Sequence, residues 1–320
     1  MKRRDLLALF AGAAAARWHA AGAQEGKGPA IGFLHLAPGD PTEHFLAAFR
    51  PWMKQHGWEE GRNLRLLVVS ADGGDLPAAA RELVARKVDL IIAHGDPLVR
   101  AAQQATTTIP IVGMTDDMVG SKLVASLAHP GDNTTGLSIL ATELDVKRLE
   151  LLHEAAPQAS PIGILADPST VSTRSQLEAA ARQFGIDLVI LVAMNPADAA
   201  RAADEMAGTG VKAVNVLASP ILATASAAII ERLNRARLPA IYQWPDYAQQ
   251  DALIGYGPGL IGCYDQVAAL AEKILKGAKP ADLPVEQPSK FELAVNLKTA
   301  KAIGITLPQS LLARADTVIE

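Results

Sequence analysis

The chain has 320 residues, a formal net charge of −4, a single cysteine, and aromatic residues at only 4% of its positions. This length suggests about two domains. The acidic balance argues against nucleic acid or anionic lipid as a partner. One cysteine excludes an intramolecular disulfide, so stability has to come from burial of an apolar core.

The first 23 residues are typical of an export signal. Lys2, Arg3 and Arg4 precede an apolar run over residues 6–16 and a small-residue cleavage site at residues 21–23. The run is too short to span a bilayer. The arginine pair resembles a twin-arginine signal, with general secretion as the alternative. No cysteine follows, so we expect no lipid anchor, and removal of four cationic residues and one acidic residue would leave a charge of −7. We expect a periplasmic protein.

From residue 30 onward, short apolar segments alternate with amphipathic ones. Strands are predicted at residues 30–36, 64–70, 89–93, 109–113, 161–166, 187–192, 213–217, 238–242 and 252–255, and helices at 42–56, 76–86, 98–106, 142–155, 170–184, 197–207, 221–235 and 264–276. Apolar strands that alternate with helices predict parallel sheets covered on both faces. The predicted fold class is α/β, with one group of units ending near residue 113 and a second beginning near 161.

Five predicted strand–helix junctions carry a short polar residue before proline: Asp40, Asp96, Asp167, Asn195 and Ser219. This pattern is typical of helix N-caps. The alternative is a binding role, because open α/β sheets bind ligands beyond the carboxyl ends of their strands. The same edge should carry further polar residues, and the candidates there are His35, His94, Thr115 and Asp116, with Asp117 open as an alternative to Asp116.

All four tyrosines lie between residues 239 and 264, together with Trp244 and Cys263. Tyr and Trp combine an apolar ring with a polar tip, which suits recognition of a small molecule. Tyr242, Trp244, Asp246 and Tyr256 are therefore candidate ligand contacts. Tyr264 and Cys263 are assigned to a packing helix instead. The alternative is that the rings fill the core between two lobes.

Several motifs then carry a family resemblance, at residues 45–50, 61–63, 105–112, 124–136, 147–152, 274–288 and 290–301. The chain resembles the ABC-transporter substrate-binding protein family that includes tryptophan and tyrosine binders. The resemblance implies a type I periplasmic binding fold, with two Rossmann-like three-layer lobes joined by a multi-strand hinge. It places residues 28–140 and about 253–282 in the N-terminal lobe, and 141–252 and about 283–320 in the C-terminal lobe.

The resemblance also implies a function: a monomer that traps a small organic ligand (an amino acid, an amine or an aromatic compound) between its lobes and delivers it to an ABC permease of the inner membrane, without a cofactor. The acidic candidates Asp96, Asp116, Asp117 and Asp246 favour a ligand with an amine, a cationic group or several hydroxyls. His35 and Asp96 stand where members of the family carry small or hydroxyl residues. The alternatives are an exported ligand sensor, a metal-binding protein using His35, His94, Asp96 and Asp116, and an enzyme. Dinucleotide, Walker and nucleophile-elbow motifs are missing from the sequence, which argues against an enzyme.

Overall fold

The computed structural model describes residues 28–36, 40–71, 74–170 and 173–320, so the expected export signal lies outside the described part. The strands are β1 Ala30–His35, β2 Arg65–Ser70, β3 Leu90–His94, β4 Ile111–Thr115, β5 Thr134–Ser138, β6 Ile162–Ala166, β7 Leu188–Val192, β8 Ala213–Val216, β9 Ala240–Tyr242, β10 Ile254–Gly257, β11 Glu292–Asn296 and β12 Thr317–Ile319. The helices are α1 Asp40–Gln55, α2 Leu76–Ala85, α3 Asp96–Ala105, α4 Ala141–Ala155, α5 Arg174–Phe184, α6 Pro196–Gly208, α7 Pro220–Thr224, α8 Ser226–Arg235, α9 Leu260–Leu275, α10 Leu297–Ile303 and α11 Gln309–Leu312.

The first sheet has the order β2-β1-β3-β4-β5, and all of its strands are parallel. Neighbouring residues of β1 point to opposite faces of this sheet. On one face Ile31 and Phe33 pack with two phenylalanines of α1, Phe45 and Phe49. On the other face lies Leu34. Residues of α2 and α3 cover that opposite face. The strands are apolar throughout because both faces of the sheet are covered.

The second sheet has the order β12-β11-β10-β9-β8-β6-β7. Its pairs are parallel except for β10 with β11, which is antiparallel. Ile162 and Ile164 of β6 and Val214 of β8 are fully or almost fully buried. The predicted α/β class with two mostly parallel sheets is confirmed.

The chain passes between the two sheets three times. It crosses first between β5 and α4, where Leu140 takes a left-handed conformation with φ of 56°. It crosses again at Pro258–Gly259 between β10 and α9, and a third time ahead of β11. In that third segment the Glu286 amide donates to the Gly136 carbonyl oxygen at 2.8 Å, beside β5.

The point at which the chain returns to the first lobe differs from the expected position near residue 253. Helix α9 packs against α1 and the first sheet, as the family resemblance implied. Strand β10 instead pairs with β9 and β11 of the second sheet. The chain therefore returns to the first lobe only after Gly257. The reason is that the apolar run continues into β10, and the turn-forming residues Pro258 and Gly259 follow it.

Each of the nine predicted strands overlaps a strand of the structure, and three further strands were not predicted. The segment Thr134–Ser138 lies between the two predicted groups of units and was not predicted as a strand, yet it is the fully buried edge strand β5 of the first sheet. Strands β11 and β12 were also missed. In the described residues, no helix combines the length and the apolar character needed to cross a membrane.

Candidate functional site

A cavity of about 530 Å³ lies between the two lobes, at the carboxyl ends of the parallel strands. The lobes approach closely beside it. Gly95 of the first lobe has φ of 91°, and a Cβ atom added there would lie 2.6 Å from Cγ of Pro220 on the second lobe. Such a crevice is where open α/β sheets bind ligands, and its volume is in the range of small-molecule sites.

The first-lobe wall comes from residues at successive strand ends. His35 ends β1, His94 ends β3 and Thr115 ends β4. Asp116 follows directly, and Asp96 lies in the first turn of α3. All five line the cavity. They converge because parallel strands present their carboxyl ends at one edge of a sheet, so residues far apart in sequence become neighbours.

Asp96 does not cap helix α3. The N-cap position is Gly95, and no side chain makes the capping hydrogen bond there. Of the other predicted caps, Asn195 accepts from the Asp198 amide at 2.9 Å and Ser219 accepts from the Leu222 amide at 3.0 Å. The Asp40 side chain lies outside the described residues. The carboxylate of Asp96 is therefore available at the cavity instead of being bound to its own helix.

The two acidic residues on this wall are partly desolvated. Burial raises the pKa of Asp116 well above its usual value, the carboxylates of Asp145, Asp96 and Asp167 raise it further, and the guanidinium of Arg148 lowers it. Burial likewise raises the pKa of Asp96, with the side chain of Ser121 and the charge of Arg100 acting against it. Both carboxyl groups are destabilised as anions by the absence of water.

Asp117 also lines the cavity, but it has local partners. Its Oδ1 accepts from the amides of Val119 at 3.1 Å and Gly120 at 2.8 Å, and its side chain is exposed. Asp116 is half-buried. The structure therefore gives the two neighbours different roles, with Asp117 closing a turn and Asp116 presenting the less solvated carboxyl group.

His94 is a neutral, ring-packed residue. Burial lowers its pKa to about 4, and its Nε2 atom is buried without a hydrogen-bond partner. Its ring contacts Phe45 edge-on at a centroid distance of 4.7 Å and lies parallel to Tyr264 at 6.0 Å. Burial therefore keeps the imidazole uncharged, and the ring packs among aromatic side chains at the cavity wall.

Tyr264 lines the cavity, although the sequence analysis had set it aside. It lies on α9 with only 4% of its surface exposed, and it meets Phe45 edge-on at 4.9 Å. Its packing role was expected, but the return of α9 to the first lobe also brings its ring to the cavity wall.

The second-lobe wall is aromatic and neutral. Trp244 and Ser219, both predicted, line the cavity, together with Tyr247, Gln243 and Ser169, which were not predicted. Trp244 immediately precedes a 3-10 segment, Pro245–Gln250, that turns Tyr247 toward the same side. Tyr247 belonged to the aromatic stretch, so that stretch was the signal that could have identified it.

Four predicted residues lie outside the cavity lining. Asp167 is buried and closes the turn after β6, where its Oδ1 accepts from the amides of Ser169 at 2.9 Å and Thr170 at 3.1 Å. Tyr242 is 1% exposed, and its hydroxyl lies behind the wall without a partner. These two residues support the wall from behind because their side chains point into the second lobe.

Asp246 and Tyr256, the other two, lie at the second crossing. The Asp246 Oδ2 accepts from the Leu260 amide at 3.0 Å, which ties the 3-10 segment to the start of α9. The Tyr256 carbonyl oxygen accepts from Nη1 of Arg148 at 3.1 Å. Their contacts are with the crossing and not with the cavity.

A buried ion pair beside the crossings was not predicted. Arg148 and Asp145 of α4 are 0% and 1% exposed, and Nη2 of Arg148 donates to Oδ1 of Asp145. The sequence offered one weak signal, an acid and an arginine three residues apart on a helix. Because Arg148 also holds the Tyr256 carbonyl oxygen, the pair joins α4 to the strand that leads into the second crossing.

Two α/β lobes joined by three crossings, with a cavity between them, define a two-lobed solute-binding protein. A family model for "ABC transporter substrate binding protein" matches residues 39–319. The chain belongs to this family, so the resemblance found in the sequence is confirmed. Members bind small-molecule ligands and work with ABC transporters, and they are typically extracellular or periplasmic.

Individual relatives agree with this assignment. A tyrosine-binding protein of Clostridioides difficile is 28% identical over 286 residues, covering 86% of this chain and 81% of its own. The crystal structure of a conserved domain protein from Vibrio cholerae is 29% identical with a TM-score of 0.82, and the match covers 91% of this chain and all of that one.

A Streptococcus pneumoniae ABC domain in complex with L-Trp has the same fold, with 22% identity, a TM-score of 0.80, and coverage of 92% of this chain and 100% of its own. The family and its solute-binding relatives are not enzymes, in agreement with the sequence analysis. Within the described ranges, no group of three or more His, Cys, Asp or Glu residues is arranged to hold a metal ion.

Proposed function

We propose that this chain is the periplasmic solute-binding component of an ABC importer, which traps a small organic ligand bearing an amino group between its lobes. The observation that carries the proposal is the cavity of about 530 Å³ bounded by both lobes. A ligand that contacts both walls stabilises the arrangement in which the lobes meet, because it gains contacts that a separated pair of lobes cannot offer.

The two walls divide the recognition between them. The first lobe supplies the carboxyl groups of Asp96 and Asp116, which suit an ammonium group. The second lobe supplies the ring of Trp244 and the neutral polar groups of Ser219 and Gln243. One charge-assisted hydrogen bond contributes about 1.5–3 kcal/mol, and an aromatic contact adds about 0.5–1.5 kcal/mol beyond burial. The ligated form then docks on a permease of the inner membrane.

The test is a thermal-shift screen of amino acids, amines, aromatic acids and sugars. A ligand at 100 times its Kd stabilises the folded state by about 2.7 kcal/mol, which raises the Tm by several degrees. Binding should also change the fluorescence of Trp244, and a Trp244→Phe variant identifies that signal. Uptake of the same labelled ligand should fall in cells that lack the protein. Binding without any effect on uptake would contradict the transport role.

A further inference from the structure

The cavity has an unbalanced charge. Three acidic residues line it, Asp96, Asp116 and Asp117, and among the described lining residues none is Lys or Arg. Asp117 is engaged with two backbone amides. The carboxyl groups of Asp96 and Asp116 thus face a largely apolar space to which the described part of the chain contributes no lysine or arginine.

Two arginines act by charge on these carboxyl groups, Arg148 on Asp116 and Arg100 on Asp96, but both donate hydrogen bonds to other groups. Arg148 is buried and donates to Asp145 and to the Tyr256 carbonyl oxygen. Arg100 is exposed and donates to the Ser121 carbonyl oxygen at 2.7 Å. Neither lines the cavity. The lining histidines are His35, His44 and His94, and burial lowers the pKa of His94 to about 4.

Among the described lining residues, a carboxylate group on the ligand would find no lysine or arginine, only hydroxyl, amide and imidazole groups. The first turn of α3 carries Pro97, which has no N–H, and Asp96, whose carboxylate repels a second anion. At α7, Pro220 again lacks an N–H, and the Leu222 amide is already used by Ser219. Transfer of an unpaired carboxylate into such a space is strongly unfavourable.

We propose that the ligand is an organic amine with an aromatic or similarly large apolar body and without a carboxylate group. This proposal rests on the proposed function and narrows its ligand class. The ammonium group meets Asp116 and Asp96, and the apolar body lies among Phe45, Trp244, Tyr247 and Tyr264. An α-amino acid carries the same ammonium group, but its carboxylate would lie beside the two acidic side chains.

Matched pairs of probes test this directly. Tryptamine and tyramine differ from tryptophan and tyrosine only by the carboxylate, and tryptophol replaces the ammonium of tryptamine with a hydroxyl. In calorimetric titrations at pH 7.5, we expect each amine to bind at least about tenfold more tightly than its amino acid and than tryptophol. Asp116→Asn should weaken amine binding at least about tenfold. Asp204→Asn, which removes the same charge on α6 outside the cavity lining, should leave it unchanged.

The outcomes separate this inference from the proposed function. Equal or tighter binding of the amino acids, or equal binding of tryptophol, overturns the amine inference and leaves a solute-binding role intact. Amine binding that is insensitive to Asp116→Asn also overturns it. If no amine, amino acid, aromatic acid or sugar raises the Tm, both the inference and the proposed function fail.

Discussion

Gly95 offers the sharpest test of whether the lobes must meet for ligand to bind. In a Gly95→Ala variant the new Cβ would lie 2.6 Å from Cγ of Pro220 across the cleft. Carbon atoms in contact are normally about 3.5–4.0 Å apart. The lobes would therefore have to separate by roughly 1 Å at this point. Overpacking of this kind costs about 1–3 kcal/mol, which corresponds to about a 5- to 150-fold increase in Kd.

A matched double variant isolates this clash. Pro220→Ala removes Cγ and leaves Cβ at 3.6 Å from the added atom, an ordinary contact. The backbone at Gly95, with φ of 91° and ψ of 148°, also penalises alanine, by about 1–3 kcal/mol. That penalty applies to Gly95→Ala and to the double variant alike, and it lowers the Tm of both.

Calorimetric Kd values for the ligand found by thermal shift, measured on the four members of this cycle, separate the two effects. We expect Gly95→Ala to bind 5- to 150-fold more weakly, by the estimate of about 1–3 kcal/mol, and the double variant to recover most of the loss. An unchanged Kd in Gly95→Ala, or no recovery in the double variant, would refute the view that the contact between the lobes belongs to the binding-competent state.

Three further predictions concern buried polar groups. Because the pKa of Asp116 is raised in the folded protein, this residue lowers the stability of the ligand-free state progressively as pH rises from the ordinary carboxyl pKa to the raised one, and by a constant amount above it. The gain in Tm from Asp116→Asn should grow over that window and then level off. Amine affinity of the unaltered protein should rise as Asp116 ionises, and flat profiles would contradict both expectations. Arg148→Met should lower the free energy of unfolding, measured by chemical denaturation, by about 3–5 kcal/mol because it leaves Asp145 unpaired. The control Lys147→Met breaks only an exposed pair and should lower it by about 0–1 kcal/mol. Equal losses would show that the buried pair does not stabilise the fold. Tyr242→Phe should change stability by less than about 1 kcal/mol and leave Kd unaltered, since its hydroxyl has no partner; a large rise in Kd would return Tyr242 to the site.

The strands could be predicted from the sequence wherever apolar runs were long and flanked by helices. Strands β1 and β3 are examples, because a strand buried on both faces has to be apolar throughout. Strand β5 could not be predicted in this way, since Thr134 and Thr135 follow a turn-rich segment and their burial depends on partners elsewhere in the chain. The antiparallel pairing of β10 with β11 likewise depends on where the last crossing ends.

The first-lobe wall was predictable for a topological reason. His35, His94 and Thr115 follow from the strand ends, and a parallel sheet places such residues together. The second-lobe wall was predictable only in part: Trp244 and Ser219 were identified, but the direction of each ring depends on local turns. The 3-10 segment turns Tyr247 to the cavity, while Tyr242, only a few residues earlier, points into the lobe.

The central claim is that the ligand lies between the lobes with its ammonium group on the acidic wall. A crystal structure of the protein with the amine that gives the largest rise in Tm tests it most directly. We expect the ligand nitrogen to lie about 3 Å from a carboxylate oxygen of Asp116 or Asp96, with its ring against Trp244. A ligand bound outside this cavity, or one whose ammonium faces the second lobe, would contradict the account.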